Sequence, residues 1–306
     1  MTAVQTPPQA GPGTAPVRRR RRPVTRGRIL LHAFLVITSL VFLFPLLYAV
    51  YTSLRPYAET AKYGYFSLPR SLTFANYTHA WQQSRVLHFL VNTLIIVVPS
   101  LVLILLLSSF VAFVVSRFSF RFNLLLLMVF TAGNLLPQQT IITPLYRLYL
   151  ALPLPEWLSD SGLFFDSYVG IIAIHVAFQM GFCTFVLSNY MKTISRDLTE
   201  AAIVDGASVW MIYRRVILPL ARPALAALAV LEVTFIYNDF FWALMLMKSG
   251  DKRPITSALN NLTGAFFTNY NVLAAAAFIV AAPTIVLYLL LSKQFVRGLT
   301  LGSTKG

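Results

Sequence analysis

The chain has 306 residues, 57% hydrophobic and only 11% charged, with a mean hydropathy of +0.70. A soluble globular chain is about 25% charged, so a soluble domain is excluded and the net charge of +15 belongs to a chain built for an apolar medium. The single cysteine, Cys183, excludes an internal disulfide, and the four scattered histidines (His32, His79, His88, His175) match no metal-ligand spacing.

Residues Met1 to Val17 are rich in Pro, Gly, Ala and Thr and read as a disordered tail. Arg18 to Arg22 form an unbroken arginine run, Arg26 and Arg28 follow, and an apolar run begins at Ile29. That run, about 29–51, is longer than the apolar region of a signal peptide, and no small-residue cleavage site follows it. It is expected to stay as a first helix whose N-terminus faces the cytoplasm, so residues 1–28 form a disordered basic cytoplasmic tail. Further apolar runs lie at about 89–115, 124–148, 168–190, 223–247 and 272–291. Each is long enough for a helix to cross the hydrocarbon layer, which takes about 20 residues. All are far longer than the alternating segments of a barrel, about 10 residues each. The fold class expected is all-α: a polytopic membrane protein with six transmembrane helices over residues 29–306.

Six spans put both termini on one side. The segments assigned to the cytoplasm hold Arg18 to Arg28, Arg117 with Arg121, Lys192 to Arg222, and Lys293 to Lys305, which is 17 of the 25 basic residues. Excess Lys and Arg mark the cytoplasmic side. The arginine run is thereby explained by topology and anionic headgroups and needs no nucleic acid. On the other side, the loop from about 52 to 88 carries Tyr57, Tyr63, Tyr65, Phe66, Tyr77 and Trp81. They fit a membrane interface or a docking surface equally well.

The loop at about 191–222 carries the most structure. Ser195 or Thr199 is placed to cap a helix, Ala201 and Ala202 favour one, and Gly206 ends it. Ser208 is placed to cap a second short helix over 209–215, and Pro219 precedes the next span. Leu198, Ala202, Trp210, Met211 and Tyr213 give this polar-side loop an apolar surface. Such a hairpin docks on a partner or lies on headgroups.

Glu200-Ala201-Ala202, then Gly206, then Val216, Leu218 and Pro219 resemble the Glu-Ala-Ala-x3-Gly-x9-Ile-x-Leu-Pro signature of membrane subunits of bacterial binding-protein-dependent ABC importers. Only Val216 departs, conservatively, from the pattern. The resemblance implies a coupling loop seated in a cleft of a cytoplasmic ATPase subunit. There Glu200 makes polar contacts, Ala201 and Ala202 allow close approach, Gly206 gives the sharp bend, and Asp205, Leu218 and Pro219 complete the ATPase-coupling set. Leu136-Pro137-Gln138-Gln139 through Pro144-Leu145-Tyr146 resembles the third helix of the sugar-importing branch. Ile236-Tyr237-Asn238-Asp239-Phe240-Phe241-Trp242 resembles that branch's Trp-Asn-x-Phe-x-Trp stretch, with Tyr237 in place of tryptophan. The tail Phe295 to Gly306 resembles the terminus of the second permease of maltose-type importers. That likeness implies that Gly298, Thr300, Gly302 and Lys305 reach between ATPase subunits. Residues 1–28 lie outside the resemblance.

Polar groups at membrane depth are functional candidates. Glu232 falls near the middle of the fifth run, Asn238 and Asp239 nearer its end, and Gln138 and Gln139 in the third. They line a path for sugar hydroxyls, or they bind helices to one another or to a second subunit; for Glu232 a proton relay is a further reading. The tail sequence Gly302-Ser303-Thr304-Lys305-Gly306 lacks the order of a phosphate-binding loop, so no catalytic site, metal or nucleotide is expected on this chain. The resemblance places ATP and Mg on two separate ATPase subunits and implies a second, non-identical permease and an extracytoplasmic solute-binding protein, in a bacterial inner membrane. An importer of a non-sugar solute and an ion-coupled secondary transporter are the alternatives.

Overall fold

A computed structural model describes residues 26–83, 85–119, 121–135, 137–263 and 268–300; for 134–135, 258, 261, 287 and 290–300 it gives the backbone alone. The described residues are mainly helical, with one isolated bridge between Pro153 and Leu163. The chain divides by its packing into two units, Met1–Ala49 and Val50–Gly306. The tail over residues 1–25 lies outside the described residues.

The first unit, as described, is most of helix α1 (Arg26–Ser53). No charged residue follows Arg28 in it, and its large side chains are exposed all round, Phe34 to 65% and Phe42 to 76%. A helix apolar on every face belongs in lipid or against another membrane chain. The Ser39 hydroxyl donates to the Leu35 carbonyl at 2.7 Å, so even its polar side chain is satisfied within the helix.

In the second unit, the segment over 52–88 was expected as a loop but contains α2 (Tyr57–Tyr63) and α3 (Ala75–Gln83). Its organiser is Arg55, fully buried, which donates to Glu59 at 2.8 and 3.1 Å, to the Tyr65 carbonyl and to the Ser67 hydroxyl. Glu59 also accepts from the Arg70 amide and from the amide and hydroxyl of Ser71. Led by the Arg70 amide, these donors outweigh burial and hold the Glu59 carboxyl down at about 2. The last carbonyls of α1, which have no helical partner, are taken by side chains. Asn76 donates to Ser53 and Arg55, and Asn271 to Thr52 and Arg55. Several aromatics flagged in the sequence are internal ties. The Arg70 guanidinium sits 3.9 Å over the Tyr63 ring, and Tyr77 bonds the Ser53 hydroxyl at 2.9 Å. Trp81 and Phe66 keep exposed faces.

Helix α4 (Val86–Arg117) is followed by α5 (Asn123–Leu135), α6 (Gln138–Ala151) and α7 (Tyr168–Thr193). Among the described residues the α4–α7 pair is the most extensive contact between helices. Its buried faces mix Ile96, Ile104, Ile171 and Leu187 with Ser100, Ser108, Ala112, Gly181 and Ser188; small residues let helices approach closely. At one end Arg117 donates to the Met191 and Ile194 carbonyls, closing the end of α7. Over the expected span at about 124–148 the chain forms two helices bent by 93°. The break is chemical: Pro137 is extended at φ −60 and ψ 127 ahead of α6, because proline has no N–H to donate and crowds the preceding turn.

The chain continues through α8 (Asp197–Val204), α9 (Val209–Met211), a π-helical stretch (Ile212–Ile217) and α10 (Leu218–Leu220). It ends with α11 (Arg222–Tyr237), α12 (Phe241–Leu246), α13 (Ile255–Ala258) and α14 (Tyr270–Thr300). Within the expected fifth span at about 223–247, α11 stops at Tyr237 and three residues separate it from α12. Among the described residues α1, α4 and α7 are each long and apolar enough to cross a membrane. Counting the α5–α6 pair and the bent pair from α9 to α11 as one span each raises the number to five, and Tyr270–Val286 is a shorter apolar helix.

Two tests follow from this packing. A Cβ on Gly170 would lie 2.2 Å from the Phe164 carbonyl oxygen and 3.0 Å from the Tyr149 ring, so Gly170→Ala should cost about 1–3 kcal/mol, read as a lower thermal midpoint of the solubilised protein. Glu59 is bound more tightly as a carboxylate when folded, so its stabilisation is complete above its unfolded value of 4.5 and is lost as pH falls toward about 2. Thermal stability measured from pH 6 to pH 3 should fall more steeply in the wild type than in Glu59→Gln.

Candidate functional site

Two places concentrate the residues singled out in the sequence: the connection from α7 to α11, and the break between α11 and α12. In the first, the Ser195 hydroxyl accepts from the Asp197 amide at 3.2 Å as α8 begins. Glu200, Ala201 and Ala202 occupy its middle. The helix closes with Gly206 in the left-handed region at φ 77. The Gly206 amide donates to Ile203 and the Ala207 amide to Ala202, each at 2.9 Å. This paired closure demands positive φ at the residue after the cap. Nothing lies within 4 Å of a Cβ built on Gly206, so the backbone angle rather than crowding selects glycine. Ser208 then caps the next turn, accepting from the Met211 amide at 3.3 Å.

Glu200, Ala201, Asp205 and Gly206 are exposed, and the Glu200 carboxylate makes no hydrogen bond or ion pair within the described residues. The apolar surface differs from expectation. Leu198, Trp210 and Met211 are exposed as read, but Ala202 is half-buried and Tyr213 is buried. Ile203, Val204 and Val209 are exposed as well; three aliphatic residues in a polar-side hairpin were the signal available for them. Tyr213 faces inward because its ring stacks on Phe110 at 4.7 Å, lies 5.4 Å from Trp210 and 5.3 Å from Phe113, and its hydroxyl bonds Ser109 at 2.7 Å. Phe110 stacks on Trp210 as well, at 5.7 Å, so the hairpin is fastened to α4 by an aromatic cluster centred on Tyr213. The π-helical turn follows at once, leading through half-buried Leu218 and Pro219 into a 72° bend before α11. Such wide turns are uncommon and cluster at functional sites.

At the second place a cavity of about 400 Å³ opens beside the break. Its polar wall is Gln138, His175, Gln179, Asn238 and Asp239; its aromatic wall includes Phe178, Phe235, Phe240 and Trp242. The Asn238 amide group donates to the Thr234 carbonyl at 2.8 Å. The two Asp239 carboxylate oxygens accept from the Trp242 and Ala243 amides at 3.1 and 3.2 Å. Thr256 donates to the Asp239 carbonyl. His175, carried by α7, has its Nε2 3.6 Å from Asp239 and without a hydrogen-bond partner; its sequence context gave no sign that it would meet Asp239.

Of the path residues read from the sequence, Gln138, Asn238 and Asp239 meet in this cavity. Gln139 is exposed and is not among the lining residues. Glu232 lies apart, fully buried, accepting from the Cys183 thiol at 3.1 Å. Gly298 and Thr300 fall in the backbone-only end of α14, and Gly302 and Lys305 lie outside the described residues.

Apolar helices, a capped hairpin presented between two of them, and a polar cavity at a broken helix define a polytopic membrane transport subunit. The chain belongs to the family of binding-protein-dependent transport system inner membrane components, whose model matches residues 84–300. It is similar to a diacetylchitobiose uptake system permease protein of Streptomyces coelicolor, 29% identical over 89% of this chain and 87% of that one. A xylose/arabinose import permease protein of Haloferax volcanii is 30% identical over 89% and 92% respectively. Among solved structures, a bacterial ABC transporter involved in the import of the acidic polysaccharide alginate has the same fold, with a TM-score of 0.72, 24% identity and coverage of 89% and 98%.

If the Tyr213 stack fastens the hairpin, Tyr213→Ala should cost about 3–5 kcal/mol and Tyr213→Phe, which loses only the Ser109 bond, about 1 kcal/mol. Thermal unfolding of the purified variants, compared pairwise, checks the order and the gap.

Proposed function

We propose that this chain is a permease subunit of an ATP-driven importer of sugars or oligosaccharides, and that it couples ATP hydrolysis on partner subunits to alternating access. The observation that carries the reading is the α8–α9 hairpin. It is held rigid by the closure at Gly206 and the Tyr213 stack, yet it presents an unpaired Glu200 and an apolar face of Leu198, Ile203, Val204 and Val209 to a partner. A rigid element with both ends built into the helical body passes on displacement instead of absorbing it. The 72° bend and the π-helical turn are the places where α11 takes up that movement.

In this reading one of two cytoplasmic ATPase subunits receives the hairpin, and the pair holds ATP and Mg. A second, non-identical permease completes the path, and an extracytoplasmic binding protein delivers cargo. Both termini face the cytoplasm, and Gly298, Thr300, Gly302 and Lys305 extend toward the ATPases. The preference for sugars is supported by the cavity at the α11–α12 break, where side-chain amides alternate with aromatic faces, and by the sugars named for the relatives. Amides bond hydroxyls, while aromatic rings pack on the C–H faces of a sugar ring.

The test is purification of the chain with its genomic neighbours from mildly solubilised membranes, comparing wild type with Glu200→Arg and Gly206→Arg. The ATPase should accompany the wild type and be lost, or hydrolyse ATP without transport, in both variants. Recovery of ATP-independent transport, or full coupling in both variants, would overturn the reading in favour of an ion-coupled transporter.

A further inference from the structure

We infer that the cavity at the α11–α12 break admits uncharged sugars and turns back sugars that carry a carboxylate, with Asp239 as the discriminating group; this rests on the cavity belonging to the permeation path proposed above. Asp239 cannot swing away from the wall. Both its carboxylate oxygens accept backbone amides, its own carbonyl accepts from Thr256, and its side chain is 8% exposed. Acceptance at both oxygens is the bonding pattern of a carboxylate.

The remaining polar groups on the wall are the amides of Gln138, Gln179 and Asn238 and the imidazole of His175. No lysine or arginine stands among the described lining residues. An anionic sugar would bring a second negative charge beside Asp239 with no guanidinium or ammonium to receive it, in a cavity walled by rings that cannot solvate it. A hydroxyl meets the opposite situation. His175 is 3% exposed and its Nε2 has no hydrogen-bond partner. At 3.6 Å it is too far from Asp239 for a direct bond. A buried polar atom left without a partner is costly, and a sugar hydroxyl, donor and acceptor at once, can bridge the imidazole and the carboxylate. His175 and Asp239 thus form a pair completed by a neutral polyol.

The test reads the charge of the cavity directly, independent of the binding protein's own selectivity. In the full complex in proteoliposomes, Gln179→Cys is labelled with a cationic and an anionic methanethiosulfonate of similar size, each rate divided by that reagent's rate with free cysteine. The fully buried Cys183 supplies the background, measured without the added cysteine. The cationic reagent should react at least about tenfold faster. Adding Asp239→Asn should bring the ratio close to one, while adding His175→Gln, which removes any charge of the imidazole, should leave the preference in place. Equal normalised rates in the Gln179→Cys complex, or a preference that survives Asp239→Asn, would overturn the inference and leave the path reading standing. Absence of labelling by either reagent, with and without ATP, would overturn both.

Discussion

A backbone amide or carbonyl released from a helix in an apolar medium has no water to turn to, and several helix ends among the described residues are answered by side chains placed to meet them. Asn76 and Asn271 take the carbonyls at the end of α1, Arg117 those at the end of α7, and Asp239 the first amides of α12. Within the helices, hydroxyls such as those of Thr93, Ser116 and Thr234 donate back to carbonyls of the preceding turn. Polar residues in so apolar a chain thus either close the ends of helices or fold back onto the carbonyls of their own helix.

This explains how the two candidate sites relate to the fold. A helix broken near its middle exposes polar backbone and must be built around polar side chains, which creates a cavity with hydrogen-bonding walls. The residues that repair the α11–α12 break, Asn238 and Asp239, are therefore also those that face the cavity. At the α7–α11 connection the requirement is different. There the chain leaves the helical body, and what matters is rigidity: a closure that favours glycine at Gly206, and an aromatic stack that ties the hairpin to α4.

Much of this was legible in the sequence. Long apolar runs fixed the class and the approximate positions of the helices, and the spacing from Glu200 to Pro219 marked the hairpin together with its cap at Ser208. What could not be read were consequences of pairing between distant segments. The run over 223–247 is apolar except at Glu232, Thr234, Asn238 and Asp239 and the hydroxyl of Tyr237, and hydropathy alone cannot distinguish a polar residue inside a helix from one that mends a break. Tyr213 looks like a surface anchor until Phe110, about a hundred positions earlier, is seen beneath it. His175 gained its place only by meeting Asp239. Pro137 was the exception, a local signal of a break that the apolar residues on either side outweighed.

The clamp around Arg55 has a consequence for the order of assembly. Its bonds to Glu59, Tyr65 and Ser67, and those of Glu59 to Arg70 and Ser71, lie within one short segment and are available as soon as that segment has been made. The ties from Asn271 to Thr60 and Thr52 span 211 and 219 positions and form only when nearly the whole chain is in place. The Arg55 carbonyl is thus shared between a neighbour, Asn76, and the distant Asn271, so the second asparagine acts as a latch that closes on a completed molecule.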